Sequence, residues 1–160
     1  MSAQQWFNAN PWVIPLQIIV LFFVVSFVIS RWSGWARLAE RFRAPGPFLG
    51  ECWKRQSARF RAYCGYNNCL TVGADAAGLY LSVMSPFRVF HAPLLIPWQE
   101  IEVETGKVLF GFYDTALLRL GRDEQIPMRI QGKLIERLRQ AAGASWPLYQ
   151  VDLMKLQQGD

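Results

Sequence analysis

The sequence predicts an α+β protein: one N-terminal transmembrane helix, then a small β-barrel or sandwich of about seven antiparallel strands closed by a C-terminal helix. Three observations carry that prediction. The chain has no charged side chain before Arg31, and residues 12–29 form an apolar run. From about residue 57 the apolar residues alternate, as strands require. Over residues 134–142 they recur every three or four positions, as on one face of a helix. These changes of period divide the chain into a leader (1–11), a transmembrane helix (12–30), a basic stem with a proline linker (31–47), a β-domain (48–143) and a tail (144–160).

Residues 12–29, if helical, rise roughly 27 Å, close to the hydrocarbon thickness of about 30 Å. A cleaved signal peptide would need a basic segment before the run and small residues at a cleavage site after it. Here the leader carries no charged side chain, and Ser30-Arg31-Trp32 follows the run. Pro11 and Pro15 suit a first helical turn, where a missing amide donor is tolerated. Trp6, Trp12, Trp32 and Trp35 bracket the run, where indoles settle at bilayer interfaces. Gln17 and Ser26, the other polar side chains within it, are available to a neighbouring helix. Between Arg31 and Arg61 eight basic residues stand against two acids. Basic residues beside a span resist translocation, so the N-terminus is expected outside and the remainder in the cytoplasm.

The formal charge of +5 is unevenly placed: residues 31–61 carry +6 and residues 62–160 carry −1. Basicity confined to the juxtamembrane region suits an anionic leaflet and argues against a nucleic-acid partner. Cys52, Cys64 and Cys69 form no C-x-x-C pair and read as small semi-buried thiols in a reducing compartment. A zinc site would need more ligands than these and the single histidine, His91, readily supply.

Trp32, Trp35, Leu38, Ala39 and Phe42 share one helical arc, with Arg37, Arg41 and Glu40 elsewhere. The helix is therefore expected to continue or bend into an interfacial stem. Its candidate membrane-interface residues are Trp12, Arg31, Trp32, Trp35, Arg37, Arg41 and Arg43, with indoles at the headgroups and arginines on phosphates. The alternative is a solvated stem. Ala44-Pro45-Gly46-Pro47 interrupts any helix and reads as the linker.

Strands are expected over residues 59–63, 70–74, 79–83, 94–97, 101–104, 108–112, 116–120 and 125–129. Turn signals at 65–68, 75–78, 105–107, 113–115 and 121–123 separate them. Asp75-Ala76-Ala77-Gly78 looks like a hairpin connection with a glycine available for a left-handed residue. Glu100, Glu102 and Glu104 share one face and read as the solvated side of a half-buried strand. Leu134, Ile135, Leu138, Ala141 and Ala142 form the apolar face of the closing helix, ended by Gly143. In the tail, Trp146, Leu148, Val151, Leu153 and Met154 are expected in part to pack back or to meet a partner.

The run over residues 70–81, with its Gly78-Leu79-Tyr80-Leu81 return, and the later Leu95-Ile96-Pro97-Trp98-Gln99-Glu100-Ile101 resemble the GRAM and bacterial pleckstrin-homology (PH)-like group. The likeness covers about residues 50–142, and its motifs are structural. Placed after one spanning helix, the domain is also similar to single-spanning bacterial membrane proteins, which implies the inner (cytoplasmic) membrane. The resemblance implies a non-catalytic binding module, used for lipid headgroups in some members and for protein contacts in others. Lipid-binding members carry basic residues around the first hairpin. The candidates here are Lys54, Arg55, Arg59 and Arg61, although the expected hairpin over residues 64–69 is uncharged.

The sequence holds no G-x-S-x-G, H-E-x-x-H or phosphate-cradling glycine loop. The expected function is thus a membrane-tethered, non-catalytic interaction module, an accessory subunit of a membrane complex, with no cofactor. Its expected partners are the bilayer and another membrane protein or a second copy of the chain. The alternative is an anionic-headgroup or small-ligand binder. Phe87, Arg88, Phe90 and His91, in the loop 86–93, are candidate partner contacts; alternatively the loop is an irregular strand whose phenylalanines reach the core.

Overall fold

The computed structural model describes residues 4–5, 9–61, 63–108 and 113–147. Trp6, residues 109–112 of the expected strand 108–112, and the tail from Leu148 onward lie outside the described residues.

Helix α1 (Val13–Trp32) has 20 residues and a mean hydropathy of 2.7, long and apolar enough to cross a membrane. Only Val13, Ser26 and Ser30 are buried along it, so the rest of the protein does not enclose it. The helix stops at Ser33. Gly34 adopts φ +86°, a left-handed conformation that glycine reaches without a Cβ penalty. A Cβ there would also lie 2.5 Å from Ile126 Cδ1.

The elbow redirects the chain into α2 (Trp35–Phe42), whose Trp35, Leu38 and Phe42 enter the β-domain core. This corrects the expected interfacial stem. The arc is apolar because it faces protein, and Trp35 is fully buried, with ring centroids 5.6 Å from Phe60 and 5.8 Å from Tyr66. The linker is also tied down. Arg43 forms a bridge to Leu94, the Ala44 N–H donates to the Pro93 carbonyl at 2.8 Å, and Phe48 stacks on Tyr80 at 4.7 Å.

Seven strands follow: β1 (Glu51–Phe60), β2 (Cys64–Ala74), β3 (Gly78–Val83), β4 (Leu94–Pro97), β5 (Ile101–Val108), β6 (Tyr113–Leu120) and β7 (Ile126–Gln131). They form one antiparallel sheet in the order β4-β3-β2-β1-β7-β6-β5. The edge strands β4 and β5 are consecutive in the chain, separated by a single 3₁₀ turn at Trp98–Glu100, so the sheet nearly closes on itself. Trp98 fills that corner, buried, its indole N–H donating to the Asp75 carbonyl at 2.7 Å.

Helix α3 (Lys133–Ala142) buries Leu134, Leu138 and Ala142 against β2 and β7 and ends at Gly143. Trp146 packs back on Trp98, ring centroids 5.4 Å apart.

Several connections differ from expectation. The stretch 65–68 lies inside β2 and not in a turn; β1 ends at Phe60 and β2 begins at Cys64. β1 begins at Glu51, eight residues before the expected start at 59; two register irregularities, accompanied by positive φ at Arg55 and Asn68, break the alternation that marks a strand there. The turn signals at 105–107 and 113–115 fall within the β5–β6 ladder, where Gly106 pairs with Thr115 and Lys107 with Asp114. At 75–78 the Asp75 carboxylate, accepting from the Ala77 and Gly78 N–H groups at 2.8 and 3.0 Å, makes the turn. Gly78 is needed for a different reason than a left-handed φ: a Cβ would lie 2.3 Å from the Ile96 carbonyl oxygen on β4.

Candidate functional site

The chemistry-bearing residues gather where α1 meets the β-domain. One stripe of α1, Phe22, Phe23, Ser26, Phe27 and Ser30, recurs at helical spacing and continues to Ser33 at the helix cap. The β3–β4 loop lies along it. Phe87 meets Phe22 at 5.6 Å between ring centroids, and Phe90 meets Phe23 at 6.4 Å and Phe27 at 5.5 Å. The Ser30 hydroxyl donates to the Phe90 carbonyl at 2.7 Å. The candidate contacts Phe87 and Phe90 are therefore half covered by the protein's own helix.

His91 turns the other way. It is buried, 5.5 Å from the Trp35 ring and 5.7 Å from the Tyr66 ring. Its Nδ1 lies 3.0 Å from the Val89 carbonyl, which only accepts, so Nδ1 carries the proton. Nε2 lies 2.9 Å from the Tyr66 hydroxyl, which also lies 3.1 Å from the Ser33 hydroxyl oxygen; the Ser33 hydroxyl itself donates to the Ser30 carbonyl at 3.4 Å. Trp35 completes the set by donating its indole N–H to the Ala92 carbonyl at 2.9 Å. Burial lowers the His91 pKa, which suits the neutral ring this network needs, and raises that of Tyr66. The network fixes elbow, loop and β2 to one another.

The basic candidates divide into groups. Arg31 and Arg43 line an open groove of about 620 Å³ together with Arg88, Glu40, Phe27 and Phe90. None of these three arginines has an ion-pair partner among the described residues. Arg61, in the β1–β2 turn, joins Arg31, Trp32, Tyr63 and Cys64 around a smaller groove of about 350 Å³. Trp32 and Tyr63 are strongly exposed there, 70% and 95%. Trp12 is exposed at the far end of α1.

Arg41 is placed otherwise than expected: it faces the acidic β6–β7 turn, bonded to Asp123 with Glu100 and Glu124 at 3.7 and 3.8 Å. The hydrogen bond to Asp123 raises its pKa. Arg37 and Lys54 are exposed. Glu102 is exposed, and Glu104 pairs with Arg119 at 3.0 Å.

Arg55 and Arg59 line a separate groove of about 540 Å³ on β1, β2 and β7, with Asn67, Asn68 and Arg129. Arg59 and Arg129 are directly opposed in the β1–β7 register. Sequence reasoning missed Arg129 and Arg88 as members of these basic grooves, because strand pairing and loop folding bring them there. Among the described residues no three His, Cys, Asp or Glu side chains form a metal-binding group, and Cys52, Cys64 and Cys69 are free thiols.

Fold and site together define a nearly closed seven-stranded antiparallel domain fastened by one loop and one elbow to an apolar helix. Comparison of the chain with known protein families, with curated proteins and with solved structures gives no match.

Proposed function

We propose that this chain is a membrane-tethered, non-catalytic PH-like interaction module, held by α1 in the inner membrane with its N-terminus outside and its β-domain in the cytoplasm. It acts as an accessory subunit that docks another membrane protein. The observation that carries this reading is the rigid fastening of domain to helix through Ser30–Phe90, Trp35–Ala92 and the phenylalanine contacts. A domain held in one orientation meets an equally oriented membrane partner with less freedom left to lose on binding. The strand order, the closing helix and the Trp98 corner support the PH-like assignment. The basic end of α1 supports the orientation.

The test is extraction of the full-length protein at native abundance in a mild detergent, followed by particle sizing and mass spectrometry. A particle of fixed stoichiometry containing a second membrane protein is expected. The chain alone in its micelle overturns the proposal.

A second reading, anionic-headgroup binding, is favoured by the opposed Arg59 and Arg129 beside Arg55. Two like charges in register repel unless an anion lies between them. It predicts that the full-length protein in neutral-lipid nanodiscs binds soluble inositol phosphates, and that Arg59→Ala abolishes this.

A further inference from the structure

We propose that the β3–β4 loop is a second membrane element: Phe87 and Phe90 insert among the acyl chains of the leaflet facing the β-domain, alongside α1. This rests on the reading of α1 as a membrane span.

Helix length carries the argument. Phe87 packs on Phe22, ten residues before the end of α1 at Trp32. If the bilayer stopped short of the loop and left both phenylalanines in water, only residues 13–21 of α1 would remain in hydrocarbon. Nine residues rise about 14 Å, less than half of the roughly 30 Å that a span must cover. Moving the bilayer toward the N-terminus does not supply the difference. The helix starts where the Val13 N–H bonds to the Asn10 carbonyl, and Gln4, Gln5 and Asn10 precede it. A bilayer that contains α1 therefore contains the tip of the loop.

The loop is built for that position. After packing on α1, Phe87 and Phe90 each still expose 49% of their surface. Irregular backbone at membrane depth must find its hydrogen bonds inside the protein. Here the Phe90 carbonyl accepts from the Ser30 hydroxyl, the Val89 carbonyl from His91 Nδ1, and the Arg88 carbonyl from the His91 N–H at 3.0 Å. The one charge in the loop, Arg88, lines the groove that Arg31 and Arg43 also line. That is the level at which long basic side chains snorkel to lipid phosphates.

The test uses the full-length chain in open membrane sheets, with Cys52, Cys64 and Cys69 replaced by serine. A polar maleimide reports water access at single cysteines: Phe87→Cys, Phe90→Cys, Val20→Cys on α1 and Leu49→Cys in the connection to β1. All four positions are exposed in the protein itself, so differences report lipid. Because the reactive species is the thiolate, which hydrocarbon suppresses, Phe87→Cys, Phe90→Cys and Val20→Cys are expected to label about tenfold more slowly than Leu49→Cys. Val20→Cys protected while both loop cysteines label like Leu49→Cys overturns the inference and leaves the span standing. Val20→Cys labelling like Leu49→Cys overturns the span and the inference with it. The two loop positions check each other, since a lipid-inserted tip protects both.

Discussion

The Tyr66 hydroxyl stands 2.9 Å from His91 Nε2, and the other imidazole nitrogen stands 3.0 Å from the Val89 carbonyl. Burial favours the neutral imidazole, with its proton on Nδ1 toward the Val89 carbonyl. A second proton would place a charge where water is excluded.

Stability should therefore depend on pH through His91. Burial holds its folded-state pKa below the unfolded value near 6.5. Above that value neither state binds the proton, and the contribution is fully present. It is lost as the pH falls from there through the depressed folded value, because the unfolded chain takes up the proton first. His91→Gln keeps one acceptor and one donor without titrating. Melting curves of the detergent-solubilised protein should show a decline in Tm below about pH 6.5 that the variant lacks. Identical pH profiles would remove His91 as the cause.

Trp35 should behave as a core residue and not as a bilayer anchor. Trp35→Ala is expected to cost about 3–5 kcal/mol, as large-to-small core truncations do. Trp35→Phe keeps much of the volume but orphans the Ala92 carbonyl, at about 1–3 kcal/mol. Denaturant titration distinguishes this from a headgroup role, in which Trp35→Phe would leave domain stability unchanged.

The elbow allows a paired test. Gly34→Ala puts a Cβ into a left-handed residue, about 1–2 kcal/mol of strain, and into contact with Ile126. Ile126→Val removes the Cδ1 atom that would lie nearest, so the double variant should recover part of the loss. Strict additivity of the two changes would mean that the elbow does not rest on β7.

Arg129→Glu should raise stability in a buffer free of multivalent anions. It replaces a like-charge cross-strand pair with an attractive one, a change of roughly 0.2–1 kcal/mol. A fall in Tm would show that the Arg59–Arg129 opposition does not destabilise the fold.

Much of this architecture can be read from the chain because side-chain period is local. The expected strand 79–83 matches β3 to within one residue, 94–97 coincides with β4, and the apolar face of residues 134–142 is that of α3. Reading fails where partners decide. The bulges near Arg55 and Asn68 hide the first half of β1 and put turn-like Gly65 and Asn67 into a strand. Trp35 looked lipid-facing because an apolar arc is the same whether it meets acyl chains or a sheet. Gly34 just before it, a residue suited to ending one helix, was the available signal for an elbow. The basic grooves were less legible still. Arg88 joins Arg31 only through loop folding, and Arg129 joins Arg59 only through strand pairing.

Among the described residues β1 pairs with β7 through Arg59 with Arg129 and Phe60 with Met128, continued by the Arg61 N–H donating to the Pro127 carbonyl at 2.9 Å. Every other strand junction joins neighbours in sequence, or nearly so, whereas this one closes a loop of about seventy residues. The two halves, β1–β4 and β5–β7, are thus expected to assemble from local contacts first and the seam between them last, because its entropy cost comes before its reward. During synthesis β7 emerges long after α1. Closure of the domain is therefore expected only after the apolar helix has left the ribosome, with the open seam the aggregation-prone stretch until then.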